Sequence, residues 1–399
     1  MNITIIAFDI PFPKYKTGTT VILYNLINEL STKLKIELHY FGDINISGEK
    51  YFSNLGVKIN RIIGVYPRKE LLMKNSKNIY LKPYNIWWNK YKMDRKINLY
   101  DTDILIFVSF ESIFLYESII KSVTCRIIFF EIDSLSMYYK RSFLHAKKIL
   151  NKTYYLIQYF LIRRIESYYY NKVDKVIFVS EIDKQFAIRQ NKNIIPNIFQ
   201  NITNGVEVLD DKLTKNELLK NTPRIGFSGT FNYEPNIAAA RFILDNIFEK
   251  LLNRMPDAIL YLIGPCDISI FEKAKNKFGA NLVVTDFVED IYSSLKQLDI
   301  YISPLFIGSG MKNKILQAMN VGIPFICTSI SIEGISQLRN GKNCIICDSK
   351  DGKDWVNEIC LLLEDSEKIK KFVFSNSKII NDYYRWENIA KEFFLKCSI

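Results

Sequence analysis

Histidine is almost missing from this chain. His39 and His145 are its only two in 399 residues, far apart and with no nucleophile beside them. A Ser/His/Asp triad or a histidine-built metal centre therefore has no support. Glycine (16) and proline (11) are too scarce for a low-complexity or collagen-like chain. No apolar run approaches the roughly 18 residues of a membrane span. Residues 104–115 come closest and contain Glu111. The opening MNITIIAFDI lacks a basic leader and reads as a buried first strand rather than a signal peptide. Seven cysteines, an odd and scattered set, argue against a disulfide framework and for a reducing compartment. Neither GxGxxG nor GxxxxGK[ST] occurs, so the common dinucleotide and P-loop signals are lacking. A cytoplasmic protein without an integral anchor is the expectation.

What is present has a globular balance, with 48% apolar and 24% charged residues. A single core stops growing at roughly 250–300 residues, so two domains are expected. Lysine and arginine number 54 against 42 acidic residues, a net of +12. Residues 1–205 hold 30 basic and 17 acidic side chains, whereas residues 206–399 hold 24 and 25. The first half thus carries the whole excess, which suggests a negatively charged partner on that side. The basic positions gather in residues 140–172 among many tyrosines, a pattern that fits an anionic membrane surface. Nucleic acid would rest on net charge alone, without RNP-type aromatics or zinc-finger spacing, and is not expected.

Short β-branched runs alternate with longer helical patterns. Strands are expected at 3–8, 36–40, 104–108, 126–130 and 176–179, and again at 224–227, 259–263, 282–284, 300–302, 325–327 and 344–347. Helices are expected at 21–34, 237–252, 314–320 and 354–363. This alternation predicts an α/β fold of two doubly wound, Rossmann-like parallel-sheet domains facing across a cleft. The expected boundaries are residues 1–200 for the first domain, which is basic. Residues 201–380 form the second, and 381–399 a C-terminal helix returning toward the first. The boundary region, residues 193–223, includes Asn204-Gly205 and a charged, turn-rich stretch.

Two loops of the second half carry anion-binding signals. In residues 227–231, Phe-Ser-Gly-Thr-Phe, Gly229 allows close backbone approach beyond a strand. In residues 304–314, Gly308 and Gly310 precede Lys312 and Lys314 at the start of a helix. Amides, helix dipole and cationic side chains there converge on one place, as a phosphate or diphosphate requires. Cations at that end oppose the dipole, which makes a purely structural role for the lysines less natural.

These segments resemble the GT-B glycosyltransferases of glycosyltransferase family 4, the "glycosyl transferases group 1", in a branch with a GxGxKNK signature. Gly226 to Thr230 followed by Tyr233-Glu234-Pro235-Asn236 is similar to its donor loop. Met255-Pro256-Asp257 through Gly264, Asp286-Phe287-Val288-Glu289-Asp290 and GSGMKNKILQAMNVG at 308–322 are similar to further family segments. Phe178-Val179-Ser180-Glu181, Asn204-Gly205-Val206 and Tyr384-Arg385-Trp386-Glu387 extend the likeness over most of the chain.

The resemblance implies a nucleotide-sugar donor held mainly by the second domain. Gly229, Thr230, Ser309, Gly310, Met311, Lys312, Asn313 and Lys314 would surround the diphosphate, and Phe287 and Val288 the base. Gly18, Thr19 and Thr20 would belong to a first-domain loop closing over the reaction centre. Asp133 would sit near the transferred sugar, and with Lys312 would carry the catalysis. Retention of configuration and no metal or other cofactor are implied. So is a glycan or lipid-diphosphate-linked acceptor at the inner face of a membrane, in bacterial surface-polysaccharide synthesis. The acceptor-contacting residues are expected around 50–95 and 138–164. The family's paired glutamates, spaced E-x7-E, fall here on Ser309 and Gln317. Gln317 can accept a hydrogen bond from a donor ribose but without charge assistance, which keeps a weak or inactive sugar-nucleotide-binding subunit as the alternative.

Other constellations are weaker. Asp101-Thr102-Asp103 is a DxD that precedes a strand and reads as a turn. Cys344 and Cys347 form a CxxC inside an apolar strand, more fitting for buried thiols than for zinc. Glu131 and Asp133, two apart in a strand, would share one face and could be imagined as a hydrolytic carboxylate pair.

Overall fold

A computed structural model describes residues 1–12, 18–62, 99, 101–120, 124–146, 148–207, 209, 222–308 and 311–398. The chain forms two compact units, one of Met1–Thr203 with Trp386–Ile399 and the other of Asn204–Arg385.

In the first unit the strands are β1 (Asn2–Ala7), β2 (Lys35–Tyr40), β3 (Lys58–Arg61), β4 (Ile104–Val108), β5 (Arg126–Ile132), β6 (Lys175–Phe178) and β7 (Phe199–Asn201). They form one parallel sheet in the order β3-β2-β1-β4-β5-β6-β7. Every residue of β4 (Ile-Leu-Ile-Phe-Val) is buried, because helices cover both faces of a parallel sheet. Strand order reverses between β1 and β4, which places a crevice at their carboxyl ends. The loop after β1 leads there into the 14-residue helix Gly18–Ser31. The C-terminal helix Trp386–Ser398 packs against that same helix. Its Phe393 ring lies 5.1 Å from Phe130 of β5, an aromatic contact contributing about 1 kcal/mol.

The second unit repeats the plan with β8 (Arg224–Ser228), β9 (Ile259–Ile263), β10 (Leu282–Val284), β11 (Ile300–Ser303), β12 (Phe325–Cys327) and β13 (Ile345–Ile346). The parallel order is β10-β9-β8-β11-β12-β13, so the reversal falls between β8 and β11. Tyr301 of β11 ties the two together at that point: its buried hydroxyl accepts the Ser228 N–H and shares a hydrogen bond with Ser228 Oγ at 2.9 Å. Gly226 permits the packing behind them, since a Cβ there would fall 2.1 Å from Leu298 Cδ1.

Sequence periodicity misses β3 and β7. Lys-Ile-Asn-Arg and Phe-Gln-Asn are short and polar, and they are strands only because they extend a sheet whose inner members already exist. The long helix expected at 237–252 is interrupted by a π-helical stretch, Ile243–Phe248, between the α-helices Glu234–Phe242 and Glu249–Leu252. Asp101 and Asp103 join the starts of β1 and β4. The Asp103 carboxylate accepts the Asn2 N–H at 2.7 Å, and the Asp101 carbonyl accepts from the Asn2 amide. All seven cysteines are free, with Cys344 and Cys347 buried.

Candidate functional site

In the second unit the loops beyond β8, β9, β10 and β11 converge. Gly229 follows β8 and donates its N–H to the Ile263 carbonyl at 2.9 Å. Gly264 follows β9 with φ +132, and a Cβ on it would lie 2.3 Å from the Gly229 carbonyl oxygen. Two backbones thus touch where neither residue could carry a side chain. Asn236 enters on the helix Glu234–Phe242 and donates from Nδ2 to the Thr230 carbonyl at 3.0 Å, fixing that turn.

The loop after β11 contributes Gly308, at φ +152, and then Met311, Lys312 and the helix Asn313–Asn320. Lys312 is the N-cap residue and makes no side-chain cap, which leaves the first-turn amides of the helix without that partner. Lys314 reaches back across the strand reversal. Its ammonium donates to Asn236 Oδ1 at 2.8 Å and lies 4.3 Å from the centroid of the Phe227 ring. A Cβ on Gly229 would come within 2.9 Å of the same nitrogen. Burial, helped by the Lys312 charge, pulls the Lys314 ammonium down to about 7. Met311 is buried and its Sδ receives the Asn204 N–H at 3.4 Å; Asn204 also donates its side-chain amide to Asn313. Gln317 lies one turn beyond Asn313 and is half-buried. The structure therefore brings together Gly229, Thr230, Met311, Lys312, Asn313, Lys314 and Gln317. Ser309 and Gly310 lie outside the described residues. Phe287 and Val288 follow β10, where Phe287 is exposed and Val288 half-buried, next to Asp290, which caps the helix Ile291–Lys296.

Asn236 and Gly264 also form the site, although the motifs that contain them assign them no role. Asparagine two residues into a helix that follows a glycine turn was the available signal for the first. For the second it was a glycine directly after a buried strand.

In the first unit, Gly18, Thr19 and Thr20 open the helix at the strand reversal, with Thr20 buried; residues 13–17 lie outside the described ones. The acceptor region expected at 50–95 also lies largely outside them, from residue 63 onward. Two non-glycine residues have positive φ among the described residues, Ser109 (66°) and Ile132 (75°). They sit at the carboxyl ends of the neighbouring strands β4 and β5. A β-branched residue there is strained, and strain of this kind collects at functional sites.

The kink at Ile132 corrects the expectation for Glu131 and Asp133. Strand alternation would put both on one face, but the β5–β6 register breaks between Phe130 and Ile132. Glu131 turns inward, buried, and accepts the Tyr170 hydroxyl at 2.6 Å, while Asp133 is exposed. A shared catalytic carboxylate pair is excluded by that divergence. Three buried acids clamp the turn: Glu131 itself, Glu166, which accepts the Ser136 N–H at 2.9 Å, and Asp183, which accepts the Ser134 N–H at 2.9 Å. Burial and the neighbouring Glu166 hold Glu131 well above the usual carboxylate range. Burial lifts Glu166 to about 7. Asp133 and Lys312, the expected catalytic residues, thus belong to different units, the first just after β5 and the second at the N-cap of the helix that follows β11.

Comparison with known proteins agrees with this architecture. Residues 222–365, within the second unit, match the family model "Glycosyl transferases group 1". A Klebsiella pneumoniae protein described as an uncharacterized 44.6 kDa protein in the cps region is 22% identical over 409 residues, covering 98% of this chain and 99% of that one. The Anabaena HepE structure in complex with UDP and glucose superposes with a TM-score of 0.68 at 13% identity, covering 100% and 99% of the two chains. Sucrose-phosphate synthase from Thermosynechococcus elongatus gives 0.71 at 12%, covering 99% and 98%. The likeness shows the fold: two Rossmann-like domains of the GT-B kind.

Proposed function

We propose that this chain is a glycosyltransferase that moves a sugar from a nucleotide-sugar donor to a lipid-linked or growing glycan acceptor. The observation that carries the reading is the cationic cradle of Lys312 and Lys314 at a helix N-terminus beside the glycine turn at Gly229. Cleaving a sugar–diphosphate bond develops charge on the departing phosphate, and fixed donors aimed at that charge lower the barrier. Lys312, Lys314 and the amides of the helix Asn313–Asn320 supply them here. In this reading two ammonium groups provide the positive charge and the reaction needs no metal. The base would lie against Phe287 and Val288, and Gln317 would meet the ribose. Asp133, exposed on a clamped turn, is the residue proposed to act on the transferred sugar, with retention of configuration. UDP bound to HepE and the cps-region setting of the Klebsiella relative support a uridine nucleotide donor and capsule or related surface-polysaccharide synthesis.

A panel of nucleotide sugars in a thermal-shift assay tests the donor. A ligand at a hundred times its Kd stabilises by about 2.7 kcal/mol, several degrees for a protein of this size. Lys312→Ala should then weaken UDP binding roughly 10- to 100-fold, the scale of one charge-assisted hydrogen bond. Unchanged affinity in a calorimetric titration would remove the site assignment. The second reading, a binding subunit without turnover, rests on Gln317 standing where a glutamate would carry charge.

A further inference from the structure

Residues 134–165 contain seven lysines and arginines and no aspartate or glutamate. They build a helical hairpin from Leu135–His145 and most of Ile149–Tyr170. One flank is fastened to the first unit. Tyr139 packs against Tyr154 and Tyr155, and Met137, Tyr159, Ile162 and Ile165 enter the core. Among the described residues the other flank has no cover. Around the turn, Leu144, Ile149 and Leu150 are 63%, 79% and 72% exposed. Ile149, Thr153, Ile157, Phe160 and Arg164 then continue down the second helix at spacings of three and four, all exposed, as one stripe. Lys148 and Lys152 are exposed beside it. Farther along, Phe160, Arg163 and Arg164 line an open groove of about 410 Å³.

The charge decides the occupant. A second copy would set seven cations against seven. Nucleic acid would satisfy the lysines and leave Leu144, Ile149 and Leu150 in water. An anionic bilayer answers both needs, taking the apolar tip below the headgroups and the cations at their level. No helix among the described residues is long and apolar enough to cross a membrane, so the hairpin would lie on the surface.

We infer that the tip of this hairpin, Leu144, Ile149 and Leu150 with Lys148 and Lys152, docks the protein on an anionic lipid surface. The inference rests on the proposed function only in supplying a reason for the contact, a lipid-linked acceptor; the surface chemistry stands alone.

Flotation with phosphatidylglycerol-containing vesicles, against pure phosphatidylcholine vesicles, tests it. The protein should float with the anionic vesicles, release progressively as salt rises, and bind neutral ones weakly. Leu144→Ser/Ile149→Ser/Leu150→Ser should cut binding at least tenfold. Each basic side chain near such a surface strengthens association about fivefold, so Lys148→Glu/Lys152→Glu should weaken it about 25-fold or more. Circular dichroism and thermal unfolding of the variants that match the parent show that the first unit is still folded. Wild-type protein that stays unbound at low salt overturns the inference, as does a triple-serine variant that floats as well as the parent. A dimer dissolved by the triple substitution, with no lipid binding, assigns the patch to a second copy and also overturns it. Absent UDP binding with normal flotation would instead remove the donor proposal and leave the hairpin's role standing.

Discussion

The Lys314 ammonium donates to Asn236 Oδ1 at 2.8 Å, and no carboxylate among the described residues pairs with it. One amide and the face of Phe227 hold a cation at a strand reversal where parallel sheets place their ligands. A diphosphate would give the Lys314 ammonium the counter-charge that an amide and a ring do not supply.

Proton linkage at Lys314 follows. Burial, then Lys312, lowers its ammonium to about 7, so at neutral pH it is part deprotonated. A bound diphosphate favours the charged form and raises that value, so binding takes up a proton. UDP affinity should therefore fall as pH rises above about 7, by up to tenfold per unit. Calorimetry at about pH 8, where the phosphates are fully ionised, in buffers of different ionisation enthalpy, should report uptake approaching one proton. Lys314→Arg keeps the charge and removes the titration; its affinity should be flat over the same range. A parent protein with no proton uptake would contradict the contact.

Gly264→Ala tests the backbone contact beneath the cradle. At φ +132 an alanine is strained, and its Cβ would lie 2.3 Å from the Gly229 oxygen. The expected cost is about 2–4 kcal/mol, a Tm lowered by several degrees, because backbone and not a flexible side chain must yield. Since Gly229 borders Lys314, UDP affinity should drop as well. Gly279→Ala is the control: its φ of +54 also strains alanine, but nothing lies within 4 Å of the new Cβ and it is far from the cradle in sequence. It should lose stability without losing UDP affinity.

Both sheets were legible from sequence because their inner strands are continuous β-branched runs buried on two faces. Ile104–Val108 and Ile259–Ile263 have the bounds that periodicity assigns them. The edge strands of the first sheet were not, since Lys58–Arg61 and Phe199–Asn201 owe their conformation to a neighbour rather than to their own pattern. At the site, the two-glycine, two-lysine signal located the loop. What Lys314 touches could not be read there: Asn236 is 78 residues away in sequence. The inward turn of Glu131 was hidden for another reason. Alternation assumes an unbroken strand, and no residue type announces a positive φ at an isoleucine.

Glu131 and Glu166 make stability fall with pH. Unfolded, both release their protons near 4.5; folded, burial raises Glu131 well above that and Glu166 to about 7. The native state thus binds more protons than the unfolded one between those values. The pair's contribution is complete below about 4.5 and is lost as pH rises through about 7. Asp183 faces the same cluster and favours the protonated forms, whereas the hydrogen bond donated by Tyr170 opposes this at Glu131 without outweighing burial. Glu166→Gln keeps an acceptor for the Ser136 N–H and cannot ionise. Its urea midpoint should decline less than the parent's between pH 5 and pH 8. An equal decline in the two proteins would show that the acids are not held in this way.

Gln317→Glu separates the two functional readings. Gln317 stands one turn after Asn313 on the helix that opens at Lys312, half-buried and so able to meet a ligand held at that end. A carboxylate accepts a hydroxyl hydrogen bond more strongly than an amide oxygen by about 1 kcal/mol, roughly fivefold in affinity. If the chain is a transferase, turnover of the preferred nucleotide sugar should be measurable in the parent and should rise or hold in the variant. If it is a binding subunit, both proteins should bind donor and neither should release nucleotide from it. A coupled assay for nucleoside diphosphate release, run with a membrane lipid extract as acceptor source, reads the difference. Asp133→Asn belongs beside it. Loss of release with donor affinity and thermal unfolding both unchanged would support a role for Asp133 at the sugar, because damage to the fold of its own unit would shift the unfolding.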